Sequence, residues 1–245
     1  MTSPGTPVLF IHGLWLHATS WTDWVDLFTE AGYAAQAPGW PGDPDSVADA
    51  RANPESIADH GIDDVVEHYA GIIEALPSKP ILVGHSFGGN AISGTADRIP
   101  DKIKQLVYLD AAMLENGQTV FSLLPPDVVA ARTKAAQDSS GGLSIPPPPA
   151  AAFGLSDPAQ QAWLTARLTP HPFGTFNSPL NLKNKIANGL PATYIICSDP
   201  MYGPLQASRE VVKKIGMKTV EIKTGHDAMV TLPEKLTDML DADSV

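Results

Sequence analysis

Residues 84–88 read Gly-His-Ser-Phe-Gly, a serine between two glycines at the end of the apolar run Ile81-Leu82-Val83. Glycine lacks the side chain that a sharp turn would crowd. The spacing therefore lets Ser86 take a strained backbone conformation with its hydroxyl raised clear of the chain. The stretch that follows, GNAISGTADR, reads as a helix, and a helix starting there aims its free N–H groups at the same point. Strand, serine and helix in that order suit nucleophilic attack on a carbonyl. A plain strand-to-helix turn is the alternative, and the elements on both sides speak against it.

A serine hydroxyl is a weak nucleophile at neutral pH and needs a base, itself oriented by a third group. Seven histidines are available. His226 is the expected base, because it follows the last strand in EIKTGHDAMVTLPEKL and opens on the same sheet edge as Ser86. His17 and His171 lie in loops that could approach, and His12 is expected to brace its loop rather than move protons. Two carboxylates could orient the imidazole. Asp199 ends the fifth strand in YIICSDPMYGP and is the preferred acid; Asp110 ends the fourth in LVYLDAA and is the alternative. Either keeps the order Ser, Asp, His along the chain. Asp227 is expected to point away from the base and brace the loop.

An attacked carbonyl becomes an oxyanion that needs fixed donors. The Phe87 N–H, next to the nucleophile, is one candidate, and the Leu14 N–H, after Gly13 in FIHGLWLHATSW, is the other. Trp15, Met113, Phe121, Leu124, Phe173, Phe176 and Met201 are the expected pocket walls, an apolar and partly aromatic set. The motif loops hold no arginine or lysine, so a substrate with a free carboxylate beside the ester would lack a partner there.

These residues must be held by a scaffold, and the rest of the chain supplies one. Six short apolar runs, near residues 8–11, 33–37, 81–83, 105–109, 192–197 and 219–222, alternate with helical patterns. That alternation predicts an α/β three-layer sandwich around a mostly parallel six-stranded sheet. Helices are expected over Ile62–Leu76, Gly88–Arg98, Gln206–Ile215 and Pro233–Leu240. Residues 113–188 break the pattern with SSGGLSIPPPPAAAFG, whose prolines exclude helix and central strand. Apolar faces in FSLLPPDVVAAR and AQQAWLTARL predict short helices on either side. Residues 1–112 and 189–245 therefore form the expected core, and 113–188 an inserted helical lid over the carboxyl ends of the strands.

Composition narrows the function classes. The 245 residues carry a net charge of −11, with 43% hydrophobic and 18% charged residues. An acidic chain argues against nucleic acid or an anionic membrane surface as partner. Acidic residues crowd Asp43–Glu67, where Arg51 is the one strong base, and a solvated face is expected there. Cys197 is the only cysteine and excludes an intrachain disulfide. No stretch reaches a membrane-spanning length, and a cytoplasmic location is expected. No histidine–carboxylate cluster has ligand spacing that the expected triad leaves unexplained, so no metal or other cofactor is expected. A small-molecule ester is the expected partner, with a homodimer left open.

The stretches HGLWLHATSW, GHSFGG and GHDAMVTLPEKL, in that order, resemble the α/β-hydrolase superfamily, within it the compact branch of plant methylesterases, hydroxynitrile lyases and related bacterial esterases. The resemblance implies a triad of Ser86, Asp199 and His226 beneath a lid. Hydroxynitrile lyases of this type carry threonine after the first-strand histidine and lysine after the base. Gly13 and Asp227 stand there instead, so lyase chemistry is not expected. The serine also excludes dehalogenase and epoxide hydrolase chemistry, which need a carboxylate nucleophile. What remains is hydrolysis of small neutral, apolar or aromatic esters through an acyl-enzyme. Amide, lactone or carbon–carbon hydrolysis by the same triad, or a receptor on a hydrolase scaffold, are the alternatives.

Overall fold

The computed structural model describes residues 5–58, 60–232, 234, 238 and 239. In chain order the elements are β1 (Pro7–Ile11), α1 (Thr22–Glu30), β2 (Ala34–Gln36), α2 (Val47–Ala52), α3 (Ile62–Glu74), β3 (Ile81–His85), α4 (Gly88–Arg98) and β4 (Gln105–Leu109). There follow α5 (Pro126–Ser140), β5 (Ser144–Ile145), α6 (Pro158–Thr165), β6 (His171–Pro172), α7 (Phe173–Asn177), β7 (Ala192–Cys197), α8 (Gln206–Ile215), β8 (Lys218–Ile222) and α9 (Ala228–Thr231). Six strands form one sheet in the order β2-β1-β3-β4-β7-β8, every pairing parallel. The expected three-layer α/β architecture is the observed one. The helix expected over Pro233–Leu240 lies largely outside the described residues.

Central strands buried on both faces read as unbroken apolar runs, and their period of two divides the core. Val8 and Phe10 of β1, Ile81 and Val83 of β3, Val107 and Leu109 of β4, and Ile195 and Cys197 of β7 face one layer. Leu9, Ile11, Leu82, Leu106, Tyr108 and Tyr194 face the other, against α3 and α4. In the first layer Phe10 stacks on Trp21 with centroids 5.0 Å apart, and Phe28 meets it edge-on at 5.0 Å. Such pairs add about 0.5–1.5 kcal/mol each beyond the area they bury. Cys197 is fully buried here, and burial pushes its thiol pKa far up, as expected of a structural thiol.

Residues 113–188 connect β4 to β7 and contribute to both faces of the core, with Met113, Leu114 and Leu180 on one and Ala136, Ile145 and Leu164 on the other. The proline stretch is extended, Pro149 having φ −56° and ψ 144°, and two short strands, β5 and β6, pair antiparallel beside it. Helix α5 runs for 15 residues, longer than the short helix expected, and ends at Gly141 in the left-handed region. Residues 165–178 are tied to the segments around α2, α3 and the loop after β1 by polar bonds. Arg51 of α2 donates from Nε to the Leu168 carbonyl (2.9 Å) and from Nη2 to the Thr165 carbonyl (2.6 Å). Thr169 N–H donates to the Trp15 carbonyl at 2.7 Å, and Ile62 N–H to Ser178 Oγ at 2.8 Å. The one strong base in the acidic stretch is thus an anchor.

Candidate active site

Ser86 leaves β3 with φ of 51°, in the left-handed region that non-glycine residues rarely occupy. Backbone bonds hold it there. Its N–H donates to the Leu109 carbonyl (3.2 Å), and its own carbonyl accepts from Gly89 (3.0 Å) and Ala112 (2.7 Å). The neighbouring chains leave no room for side chains: a Cβ on Gly88 would lie 2.4 Å from the Ile11 carbonyl oxygen. One on Gly13 would lie 2.6 Å from Cβ of Ser86, so the loop after β1 is packed directly on Ser86.

The imidazole of His226 is buried, and its Nδ1–H donates to Asp110 Oδ2 at 2.8 Å. Asp110, not Asp199, is therefore the carboxylate at the candidate base, and the preference for Asp199 is corrected. Register gives the reason. His85 pairs with Leu109, so Ser86 and Asp110 leave adjacent strands at one level. Leu109 pairs with Ile195, so β7 runs two residues past that level before it ends at Cys197. Asp199 lies beyond the edge, exposed, its N–H held by the Thr224 carbonyl at 3.0 Å. Asp110 is fully buried with φ of 37°. Its second oxygen accepts from Arg209 Nη1 at 3.3 Å, and Arg209 Nη2 donates to the Tyr202 carbonyl at 2.6 Å.

Several other residues position this pair. His85 Nε2–H donates to the His226 carbonyl at 3.0 Å and so holds the His226 loop. Burial pushes the His85 pKa well below its usual value, with His226 adding to the effect. A neutral ring means its 3.8 Å approach to Asp227 is not an ion pair. Asp227 is fully buried with both oxygens unpartnered among the described residues. Burial raises its pKa to about 6, against the opposing pull of His226 and with Asp110 adding to the rise. Its carbonyl, not its carboxylate, holds the segment, accepting the Val230 N–H at 2.9 Å and the Thr231 N–H at 3.2 Å. Tyr202 stacks on the His226 ring, centroids 4.3 Å apart at 15°. His12 braces its loop as expected: Trp40 Nε1–H, which can only donate, reaches His12 Nδ1 at 2.6 Å. His171 is buried and accepts the Trp15 N–H at 3.3 Å. His17 accepts the Thr19 N–H at 3.2 Å, as the cap of a 3-10 turn.

Ser86 and His226 line one cavity of about 140 Å³, together with Leu14, Phe87, Trp15, Leu124 and Phe176. Four expected wall residues do not line it. Phe121 and Phe173 pair edge-on at 5.4 Å behind Phe176, Met113 is a core residue only 1% exposed, and Met201 is 51% exposed. Apolar residue type does not encode depth. Arg132, which the sequence reading missed, lines the cavity from α5. Its guanidinium lies 4.7 Å from the Trp15 ring centroid and 5.5 Å from that of Phe176, and burial lowers its pKa. Arg209 and Tyr202 were missed too. Only their three-dimensional neighbours mark them out.

Among the described residues, His85, His226 and Asp227 could offer metal-ligand atoms within 4.8 Å of one another. His85 Nε2 and His226 Nδ1 are already engaged in the bonds above. No helix among the described residues is long and apolar enough to cross a membrane.

The chain is similar to known proteins over nearly its whole length. The chain is 31% identical over 243 residues to the carbendazim hydrolyzing esterase of Nocardioides sp. (strain SG-4G), covering 96% of this chain and 98% of that one. It is 26% identical to a pyrethroid hydrolase of Sphingobium wenxiniae, covering 96% of this chain and 86% of the relative. An extracellular alpha/beta-hydrolase from a Paenibacillus species superposes with a TM-score of 0.76 at 22% identity, over 97% of this chain and 98% of that one. Residues 8–238 match the alpha/beta hydrolase family, and the chain belongs to that family as a carboxylesterase-type hydrolase.

Proposed function

We propose that the chain is a serine esterase that works through an acyl-enzyme, with Ser86 as nucleophile, His226 as base and Asp110 as the acid that orients it. The 2.8 Å bond from His226 Nδ1–H to Asp110 carries this reading. It leaves Nε2 as the nitrogen that accepts a proton, on a ring that borders the same cavity as Ser86. The hydrogen bonds of Ser86 among the described residues are those of its backbone; bonds between nucleophile and base of this kind tighten in the substrate complex. In the reaction Ser86 Oγ attacks the ester carbonyl as His226 takes its proton. The imidazolium, stabilised by Asp110, then protonates the departing alkoxide. Water repeats the sequence on the acyl-enzyme.

The Leu14 and Phe87 N–H groups are the proposed oxyanion donors. Both residues line the cavity, and neither N–H has an acceptor among the described residues, whereas the Trp15 N–H is taken by His171. Loss of one such donor costs about 3 kcal/mol of barrier. Residues 113–188 serve as the lid over a core of 1–112 and 189–245; Leu124, Arg132 and Phe176 reach the cavity from them.

Compact neutral esters with an apolar or aromatic body are the proposed substrates. A cavity of about 140 Å³ is close to the roughly 150 Å³ that holds one benzene molecule. Carbendazim and pyrethroids, named for two relatives, belong in the first panel. The test is p-nitrophenyl acetate turned over by wild type and Ser86→Ala. A stoichiometric burst of p-nitrophenol followed by steady turnover, absent in Ser86→Ala, is the expected result. A single slow turnover, or undiminished activity in Ser86→Ala, would overturn it.

A further inference from the structure

We infer that Trp40, in the turn after β2, is a positioning residue that sets the two proposed oxyanion donors, the N–H groups of Leu14 and Phe87, at their working separation. The inference rests on the esterase reading and adds to it a residue from outside the cavity lining.

Trp40 is 3% exposed and stands in PGWPGDP, a stretch whose prolines and glycines by themselves ask only for a turn. The turn is held from both sides. Asp43, at the start of the acidic stretch, points inward: its Oδ2 accepts the Trp40 N–H at 2.9 Å, and its own N–H donates to the Trp40 carbonyl at 2.9 Å. From α3, His68 Nε2–H donates to the Gly39 carbonyl at 3.1 Å, and the Tyr69 O–H to the Pro38 carbonyl at 3.1 Å. A buried indole in such a turn is ordinary core packing unless its neighbours share a task, and here they do.

Three side chains around the indole each adjoin a piece of the proposed oxyanion hole. Its Nε1–H donates at 2.6 Å to Nδ1 of His12, two residues before Leu14. An indole N–H can only donate, so that nitrogen is bare and the His12 proton sits on Nε2, 3.5 Å from Asp43 Oδ2. The Gly13 carbonyl oxygen, 3.0 Å from the same bare nitrogen, belongs to the peptide group that carries the Leu14 N–H. The indole meets His171 edge-on, centroids 5.1 Å apart, and His171 takes the Trp15 N–H at 3.3 Å on the other side of Leu14. The third neighbour is Phe87 itself, centroids 5.4 Å apart at 31°. One rigid ring system thus spans the loop after β1 and the turn before α4, the two segments that carry the proposed donors. Such donors act by being fixed in advance, and a misplacement of about 1 Å can cost on the order of 10²-fold. A shift of Leu14 against Phe87 weakens the hold on a tetrahedral oxyanion and leaves the apolar cavity able to bind the intact ester.

The test compares 2,2,2-trifluoroacetophenone and acetophenone as competitive inhibitors of p-nitrophenyl acetate turnover by the full chain. Ser86 Oγ adds to the carbonyl carbon of the first while its proton passes to His226, and the carbonyl electron pair moves onto the oxygen as an oxyanion. The second binds as the intact ketone. The ratio of their Ki values reads the oxyanion hole, and Ki does not depend on how much of a variant folds. Trp40→Phe keeps an aromatic ring and removes the Nε1–H. It is expected to lower the wild-type preference for the trifluoroketone about tenfold and kcat about tenfold, with KM within about threefold. Should Trp40→Phe not fold, His12→Leu removes the same bond from its other end and decides in its place. An unchanged preference, or equal weakening of both ketones, would overturn the inference and leave Trp40 as packing. A wild type that binds both ketones equally would overturn the oxyanion hole and the inference with it; if it also cleaves no ester, the esterase reading falls.

Discussion

The ends of β4 and β7 present the same signal, an aspartate just past a buried strand, and the molecule treats the two in opposite ways. Asp110 is buried, bonded to His226 and backed by Arg209; Asp199 is exposed and held only through its backbone. A carboxylate at the right edge of the sheet is not sufficient. To meet His226 it must leave its strand at the level of Ser86, and a buried carboxylate stays charged only with partners for both oxygens. Asp227 completes the series: it is buried like Asp110 but without partners, and its pKa is raised to about 6.

The sharpest way to break this contrast is to remove each acid in turn. Asp110→Asn is expected to lower kcat by about 10³–10⁴, because the amide favours the wrong imidazole tautomer, whereas Asp199→Asn stays within about twofold. Steady-state kinetics on p-nitrophenyl acetate decides, and the reverse pattern would restore Asp199. Next comes Arg209, 9% exposed at its side chain. Arg209→Met removes one partner of a buried pair and is expected to cost about 3 kcal/mol in urea unfolding. A loss below about 1 kcal/mol would show that Asp110 needs only the imidazole.

Asp227 gives the opposite sign. Its folded-state pKa, about 6, lies above the usual aspartate value of 3.8, so the folded chain holds the proton more tightly. That contribution is fully present below about pH 4 and is lost as pH rises through about 6. Asp227→Asn is therefore expected to stabilise the protein by about 2 kcal/mol at pH 8 and by much less near pH 4, as read from melting temperatures. A destabilised variant at both pH values would mean that the carboxylate has a structural partner. The smallest effect concerns Arg132. Arg132→Met is expected to lower kcat/KM for mono-p-nitrophenyl glutarate about tenfold, leaving p-nitrophenyl pentanoate within twofold. Equal effects on both would reduce Arg132 to packing on Trp15 and Phe176.

The difference between these groups also explains what the sequence could convey. The six strands, α4, α8 and the turn at Ser86 are written in local patterns, so they stand where the spacing puts them. His226 is legible as well, because a histidine in the loop after the last strand has one edge to face. The choice between Asp110 and Asp199 depends on how far β7 outruns β4, which is a matter of register between strands distant in sequence. Arg132 reaches the cavity because Trp15 and Phe176, distant in sequence, pack beside its guanidinium. Met113 and Met201 illustrate the same limit from the other side: two methionines beside the expected site, one in the core and one in solvent.

The contact between Gly13 and Ser86 has a practical consequence for anyone redesigning this molecule. A library that randomises position 13 along with its neighbours will lose activity there through the shifted serine alone, before any ligand enters. Positions 14 and 15 can be varied to reshape selectivity, but the glycine before them should stay fixed.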